Sequence, residues 1–478
     1  MLTKIVFGTD GWRGIIAEDF TFENVRRCAA GMARYLIATN QTTRGLVVGY
    51  DTRFESDLFA QAVAEVIAAY GIKVYLVDRP TPTPVISYAI LDKRAHGAVN
   101  ITSSHNPPIW GGFKVRADYA GAIAPEGLKH IESLIPPPEE VKRVPFDVAR
   151  EQGLIEIFDP KPAYVKQLER LVALPPLREA GLTLAVDSMW GAGMGWFKSL
   201  LASGTTRVVE IHDQRNPIFP EMHNPEPIPP NVNGLLELVK RERAHLGIAT
   251  DGDADRIGGA TEQGVFIHQL QMYALLALYL LEVRGQRGAI VRTLNTTVML
   301  DKLARRFNVP LYETGVGFKY VAPKMVETHA LIGGEESGGY AFQGHIPERD
   351  GIVAGLYLLD FVVQTRKTPS QLIEHLFDLV GPHYYERIDT TFPEEKRGEI
   401  LARLQSAQPS EIAGVRVTGI NTLDGFKYLL ADGGWLVIRF SGTEPIMRFY
   451  VETTQEHKRH DILDAGLKLA GLKNYGKR

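Results

Sequence analysis

"HGAVNITSSHNP", residues 96–107, begins as a run of small and apolar residues and turns abruptly polar at Thr102. Its reading decides the fold because the form recurs. "LGIATDGDADR" (246–256) and "ALIGGEESGG" (330–339) are built the same way, each a short strand pattern that runs into a polar loop. Each follows an earlier strand with a polar end: "VVGYDTR" (47–53), "LAVDSMWGAG" (184–193) and "IVRTLNTT" (290–297). Helical patterns lie between strands. "LFAQAVAEVIAAYG" (58–71) is amphipathic and ends on glycine, and "KVYLVD" (73–78) is again a strand. This alternation predicts α/β layers with mixed, mostly parallel sheets, and the threefold echo predicts three related α/β domains, each offering one polar loop. Chance echoes within an ordinary α/β chain are the alternative.

Two stretches break the rhythm. "IPPPEEVKRVPF" (135–146) and "GPHYYERIDTTFPEEKRGE" (381–399) read as linkers, and a smaller, more β-rich unit follows the second. "NPIFPEMHNPEPIPP" (216–230) reads as a loop inside a domain, because the strand "HLGIAT" must still pair with what precedes it.

The chain has 478 residues, 45% apolar and 23% charged, with a formal net charge of −3, an ordinary globular balance without the basic excess of a nucleic-acid binder. The single cysteine, Cys28, excludes an intrachain disulfide and lies in an apolar helical pattern, which predicts a core residue. The longest apolar stretch, "MYALLALYLLEV" (272–283), is far short of the ~20 residues of a membrane helix and predicts a buried one. The opening "MLTKIVFGTDGWRG" breaks at Gly8 and has no signal-peptide core, so the expected compartment is the cytoplasm.

The polar loops carry the chemistry. In "DGDADR" (251–256) Asp251, Asp253 and Asp255 are spaced by two at a strand end, which aims three carboxylates at one point. Such carboxylates repel unless a cation lies between them, and hard oxygen ligands suit Mg²⁺. Glu262 falls at the twelfth position of a calcium loop, but the sixth is Arg256 rather than glycine and a strand precedes, which excludes an EF-hand. An aspartyl-phosphate nucleophile is disfavoured by Asp255, and a solvated acidic turn is the plain alternative. Arg256 beside the carboxylates reads as a phosphate or ion-pair partner.

"RFSGTEP" (439–445) follows the strand "WLVI" and gathers Arg439, Ser441, Gly442 and Thr443, with Arg448 close behind. Backbone N–H groups, hydroxyls and a guanidinium make a phosphate nest, although a hairpin turn looks the same. "GGEESGG" (333–339) lacks the glycine at 335 that a nucleophile elbow needs, and suits hydroxyl recognition or a flexible turn. "FGTDGWRG" (7–14) sets Trp12 and Arg13 in a glycine-bracketed turn, "GGFKV" (111–115) sets Lys114 on the strand after the serine loop, and "TGVGFKY" (314–320) adds Lys319. There is no P-loop, zinc spacing or dinucleotide-binding glycine turn. A carboxylate cluster, basic residues in glycine-rich loops and a serine beside a histidine suggest metal-assisted phosphoryl transfer to and from serine.

The ordered set "FGTDGWRG", "TSSHNP", "GGFKV", "DGDADR", "TGVGFK", "GEESGG" and "RFSGTEP" resembles the α-D-phosphohexomutase family, which includes phosphoglucomutase and phosphomannomutase, over residues 7 to about 450. The resemblance implies three similar α/β domains and a smaller C-terminal α+β domain around a central cleft. The corresponding boundaries are 1–146, 157–262, 263–378 and 382–478. It implies interconversion of hexose 1-phosphate and hexose 6-phosphate through a phosphoserine enzyme and a hexose 1,6-bisphosphate.

By the same resemblance the phosphoserine is Ser104, directly before His105. Asp251, Asp253 and Asp255 bind one Mg²⁺ together with a phosphoserine oxygen, and Arg256 attends the transferring phosphoryl group. Lys114, with Arg13 and His105 nearby, supplies the general acid/base, the three roles not being separated. Glu335 and Ser337 meet the hexose hydroxyls. Arg439, Ser441, Gly442, Thr443 and Arg448 hold the non-reacting phosphate, and Lys319 is a further ligand-binding residue.

Gly339 stands where many members have histidine, and His345 is not a substitute by position alone. The "GEES" form resembles glucose-preferring members, so glucose phosphate is the expected substrate. Mannose phosphate comes second and glucosamine phosphate third. A non-catalytic sugar-phosphate sensor and a metal-dependent phosphatase are the rivals from other classes. The expected partner is the hexose phosphate alone, with no nucleic acid and no membrane, in a monomer or homodimer.

Overall fold

A computed structural model describes residues 4–8, 10–441 and 446–472. Its strands form four sheets. The first holds β1 (Gly11–Ile15), β2 (Leu46–Tyr50), β3 (Val74–Val77), β4 (Gly97–Ile101), β5 (Trp110–Ala117) and β6 (Ile155–Phe158). The second holds β7 (Thr183–Asp187), β8 (Arg207–Ile211), β9 (Leu246–Thr250), β10 (Ile257–Ala260) and β11 (Phe266–Ile267). The third holds β12 (Ile290–Thr293), β13 (Leu311–Thr314), β14 (Ile332–Gly334) and β15 (Tyr340–Phe342). The fourth holds β16 (Tyr384–Thr391), β17 (Glu411–Ile412), β18 (Val415–Asn421), β19 (Phe426–Leu430), β20 (Trp435–Phe440) and β21 (Ile446–Thr453).

The echo in the sequence is a repeat in topology. The first three sheets contain the same four-strand order, β5-β4-β2-β3, β10-β9-β7-β8 and β15-β14-β12-β13. In each, the two inner strands are parallel and the strand before the polar loop returns as an antiparallel hairpin. Strands such as β2, β4 and β9 are buried along their whole length, which explains their near-continuous apolar reading. The fourth sheet is antiparallel throughout, in the order β16-β21-β20-β19-β18-β17. Three α/β/α units and a smaller α+β unit make up the molecule.

Three readings need correction. "FGTDGWRG" is not a turn: Gly11–Ile15 is an edge strand paired to β5, held because Trp12 is buried and stacks on Phe20 with ring centroids 5.2 Å apart. The stretch 135–146 is strapped to the first unit, with Arg27 Nε donating to Pro136 O at 2.9 Å and Arg34 paired to Glu140 at 2.8 Å. The stretch 381–399 contains β16, an integral strand of the fourth sheet. The expected boundaries shift accordingly. β6, beyond 146, completes the first sheet, and β11, beyond 262, pairs with β10 of the second.

Cys28 is fully buried, and burial pushes its thiol up out of the reactive range. Among the described residues no helix is long and apolar enough to cross a membrane. The stretch 272–283 is buried helix, as expected. Helix Gly351–Thr365 is apolar almost all round because it lies between units: it packs on β9 and β10 of the second sheet and on helix Gln269–Leu278. One continuous core, from Leu184 and Ile248 to Ile290, Ile332 and Leu359, therefore joins the second and third units and fixes their loops relative to each other.

Candidate active site

The loop after β4 carries Ser104 in the left-handed region, at φ 51°. A non-glycine residue there is uncommon and needs support from its surroundings. The support is Arg53, which sequence reading missed. Its buried guanidinium donates to the carbonyls of Ser104 (2.7 Å), Asn106 (2.6 Å), Pro107 (2.9 Å) and Trp110 (3.1 Å), and its Nε lies 3.3 Å from Asp51. One side chain thus satisfies four inward-facing carbonyls and templates the loop. The signal was the polar end of "VVGYDTR", noted only as part of the repeat.

Ser104 Oγ donates to Asp251 Oδ2 at 2.9 Å and lies 3.4 Å from His105 Nδ1. Ser103 is buried, and its hydroxyl has no hydrogen-bond partner among the described residues. The serine loop and the aspartate loop touch so closely that a Cβ on Gly252 would come 2.5 Å from Ser104 O, which requires glycine there.

Asp251, Asp253 and Asp255 are all fully buried, and one oxygen of each lies within 4.8 Å of the others. Asp253 Oδ1 and Asp255 Oδ1 accept no hydrogen bond among the described residues. Burial, and then the neighbouring carboxylates, push Asp251 well above the usual carboxylate range. Asp255 is also raised, by burial against the pull of Arg349. Asp253 goes the other way. Burial opposes its charge, but Lys114, Thr83 and Arg349 hold it low. Lys114 Nζ is 3.1 Å and Thr83 Oγ1 2.6 Å from the same oxygen, Asp253 Oδ2, and Asn100 in turn donates to Thr83 at 2.7 Å. Two oxygens without a hydrogen bond in a buried, mutually repelling triad are what a hard divalent cation would satisfy, so the donor set fits Mg²⁺.

Four cations act on His105, next to Ser104. Burial, Arg256, Arg13, Lys114 and Arg448 together hold His105 well below the usual imidazole range. Arg448, on the fourth unit, acts on His105 only through its charge, while Arg256 pairs with Glu226 at 3.2 Å and donates its backbone N–H to Asp251 at 3.1 Å.

The sugar-type loop lies one residue away, through Arg349, a second group that sequence reading missed. Arg349 is 2.6 Å from Asp255, 3.4 Å from Glu335 and 3.2 Å from Glu348. Glu348 is itself locked to buried Arg116 at 2.6 Å. Burial raises Glu335 against the pull of Arg349 and Arg256. The Ser337 hydroxyl is buried with no hydrogen-bond partner among the described residues. His345 is turned away from the centre, 2.9 Å from Asp350, the residue that caps helix Gly351–Thr365.

Gly339 now has a physical reason. A Cβ there would come 2.3 Å from Arg349 Cδ and 2.8 Å from its Cγ, so the stem of Arg349 fills the space a side chain would need. Gly339→His is expected to displace Arg349. The cost is about 1–3 kcal/mol of stability from overpacking, and at least about tenfold in kcat/KM for one lost charged contact. Thermal unfolding and steady-state kinetics check this; an unchanged variant would mean that Arg349 does not tie the two loops together.

The remaining expected residues lie further out. Lys319 starts helix Phe318–Thr328, with Nζ 5.1 Å from the Tyr320 ring. Arg439 sits on β20, not in a turn, and donates to Asp424 at 2.9 Å. Ser441 N donates to Ile446 O at 2.7 Å, at the end of the β20–β21 ladder. Gly442 and Thr443 lie outside the described residues.

Comparison with known proteins bears on this arrangement. Phosphoglucomutase/phosphomannomutase models match the chain in order: α/β/α domain I over residues 4–142, domain II over 162–264, domain III over 269–380 and the C-terminal domain over 392–467. The chain belongs to the α-D-phosphohexomutase family. It is 32% identical, over 97% of its length and 98% of the relative's, to a phosphoglucomutase/phosphomannomutase of Thermococcus kodakarensis. It is also 32% identical, over 96% of each chain, to a Methanothermobacter thermautotrophicus chain named a probable phosphoglucosamine mutase. Among solved structures, one from Thermus thermophilus, provisionally assigned as a phosphomannomutase, superposes with a TM-score of 0.86 at 35% identity, over 98% of this chain and 100% of that one.

Proposed function

We propose that this phosphohexomutase interconverts glucose 1-phosphate and glucose 6-phosphate in the cytoplasm, through a phosphoserine at Ser104 and a glucose 1,6-bisphosphate intermediate. The observation that carries the reading is the Ser104 hydroxyl bonded to Asp251 inside a buried triad of carboxylates paired to Lys114, Arg256 and Arg349. In the first transfer the Oγ–P bond of phosphoserine breaks and a bond forms to the free 6-hydroxyl, whose proton leaves to a nearby base. After the bisphosphate turns over, Ser104 Oγ gives up its proton and bonds to the phosphorus on C1, the bond from phosphorus to the C1 oxygen breaks, that oxygen takes up a proton, and glucose 6-phosphate departs. His105, 3.4 Å from Oγ, Lys114 and Arg13 are the groups in reach of those protons.

Asp251, Asp253 and Asp255 would hold Mg²⁺ with a phosphoserine oxygen, and the ion, when bound, draws charge from the phosphoryl group. Glu335 and Ser337 orient the hexose through its hydroxyls, Ser337 with an otherwise unpartnered oxygen. Arg439, Ser441 and Arg448, with Gly442, Thr443 and Lys319, hold whichever phosphate is not reacting. A clamp on a different unit from the serine lets either end of the bisphosphate occupy it, and closing it would exclude water.

Glucose is the preferred sugar on the form of "GEES", while the names of the relatives span glucose, mannose and glucosamine phosphates. Comparing kcat/KM for glucose, mannose and glucosamine 1-phosphates is the test. Glucose should be fastest, with turnover releasing no inorganic phosphate. A faster glucosamine 1-phosphate would overturn the sugar assignment, and stoichiometric phosphate release would replace the mutase with a phosphatase.

A further inference from the structure

The two carboxylates of "GEESGG" face different partners. Glu335 turns to Arg349 beside the metal loop. Glu336, which is buried, turns to the fourth unit instead. Its Oε1 accepts a hydrogen bond from the Tyr385 hydroxyl and lies 3.7 Å from Arg387 Nη1. Arg387 makes a forked pair to Asp389, at 2.8 and 2.7 Å, and the second of those oxygens lies 3.4 Å from Arg448 Nε.

This relay is built into the sheet. Arg387 and Asp389 are two apart on β16 and so share a face, while Asp389 lies opposite Arg448 on β21, which lies opposite Arg439 on β20. Arg439 is strapped in the same manner. It donates to Asp424 Oδ1 at 2.9 Å, and Asp424 Oδ2 accepts the backbone N–H of Val316, in the loop before Lys319, at 2.8 Å. Each arginine is therefore gripped by a carboxylate that is linked to a loop of the third unit.

We propose that Glu336 is a positioning residue for phosphate, not a sugar ligand: through Arg387 and Asp389 it sets the direction of Arg448 and so ties the sugar loop to the grip on the substrate's non-reacting phosphate. A free arginine side chain loses much rotamer entropy on binding an anion, and an ion pair to a carboxylate that is itself forked onto Arg387 lowers that cost in advance. The proposal rests on the mutase reading for the identity of the ligand, but the local claim concerns a phosphate anion and is measured without turnover.

The experiment is calorimetric binding of inorganic phosphate to the full chain and to Glu336→Gln, with Tyr385→Phe as a second, milder variant. Glutamine keeps an acceptor for Tyr385 and removes the charge that faces Arg387. Coulomb attraction alone predicts tighter phosphate binding once a carboxylate is gone. Positioning predicts weaker binding, by about tenfold, the size of one hydrogen-bonded contact, and a smaller loss in Tyr385→Phe. In turnover, Glu336→Gln should raise KM for glucose and mannose 1-phosphates by a common factor, whereas Glu335→Gln should change their ratio. Unchanged or tighter phosphate binding overturns the proposal, as does a fall in Tm with phosphate affinity intact. If the unaltered chain binds no phosphate, the proposal falls with the clamp. If binding weakens as expected in a chain that shows no mutase turnover, the mutase reading alone fails.

Discussion

Ser104→Ala is expected to lose at least about a thousandfold in kcat, because in the proposed reaction its oxygen carries the phosphoryl group between the two ends of the sugar. Its neighbour gives the contrast. Ser103→Ala deletes a buried hydroxyl that has no hydrogen-bond partner among the described residues, so it strands no other group and should keep activity within about threefold. The two serines differ in what holds them. Ser104 stands at φ 51°, with its carbonyl on Arg53 and its hydroxyl on Asp251. Parallel kinetics of the two variants check the assignment, with circular dichroism to confirm folding; a dead Ser103→Ala beside an active Ser104→Ala would reverse it.

Removing divalent ions is the second large effect. Three buried carboxylates with oxygens within 4.8 Å of one another repel strongly, and burial already pushes Asp251 and Asp255 up. A chelator should therefore suppress turnover by at least about a thousandfold, and Mg²⁺ in excess should restore it. The same ion should raise Tm, by the equivalent of about 3–4 kcal/mol at a few hundred times its dissociation constant. Full activity after exhaustive chelation, or a Tm indifferent to Mg²⁺, would leave the triad without its assigned role.

What was legible in the sequence was what short-range chemistry writes there. Asp251, Asp253 and Asp255 sit two apart at a strand end, and that spacing alone makes a cluster. The repeat was legible because each unit places its polar residues just past a buried strand. Arg53, Thr83 and Arg349 were not legible. Arg53 acts 51 residues away on Ser104 O, Thr83 acts 170 residues away on Asp253, and Arg349 reaches Asp255 from the start of a buried helix. Beyond the polar strand end that carries Arg53, nothing local distinguishes them from solvated polar residues until the sheets are assembled. "FGTDGWRG" and "GPHYYERIDTTFPEEKRGE" misled for the converse reason: glycine, proline and charge mark turns, yet Trp12 and the partner strand β21 override them. Gly339 was legible as a departure from the family pattern, but its cause, the stem of Arg349, belongs to tertiary packing.

In the proposed reaction Ser104 carries phosphate to and from the sugar. Intact-protein mass spectrometry, with site localisation, on the chain incubated with glucose 1,6-bisphosphate and then with glucose 1-phosphate tests it most directly. A single added phosphoryl group is expected on Ser104 after the first step, and its disappearance into glucose 1,6-bisphosphate after the second. Phosphate on Ser103 or on an aspartate, or phosphate on Ser104 that glucose 1-phosphate does not remove, would contradict it.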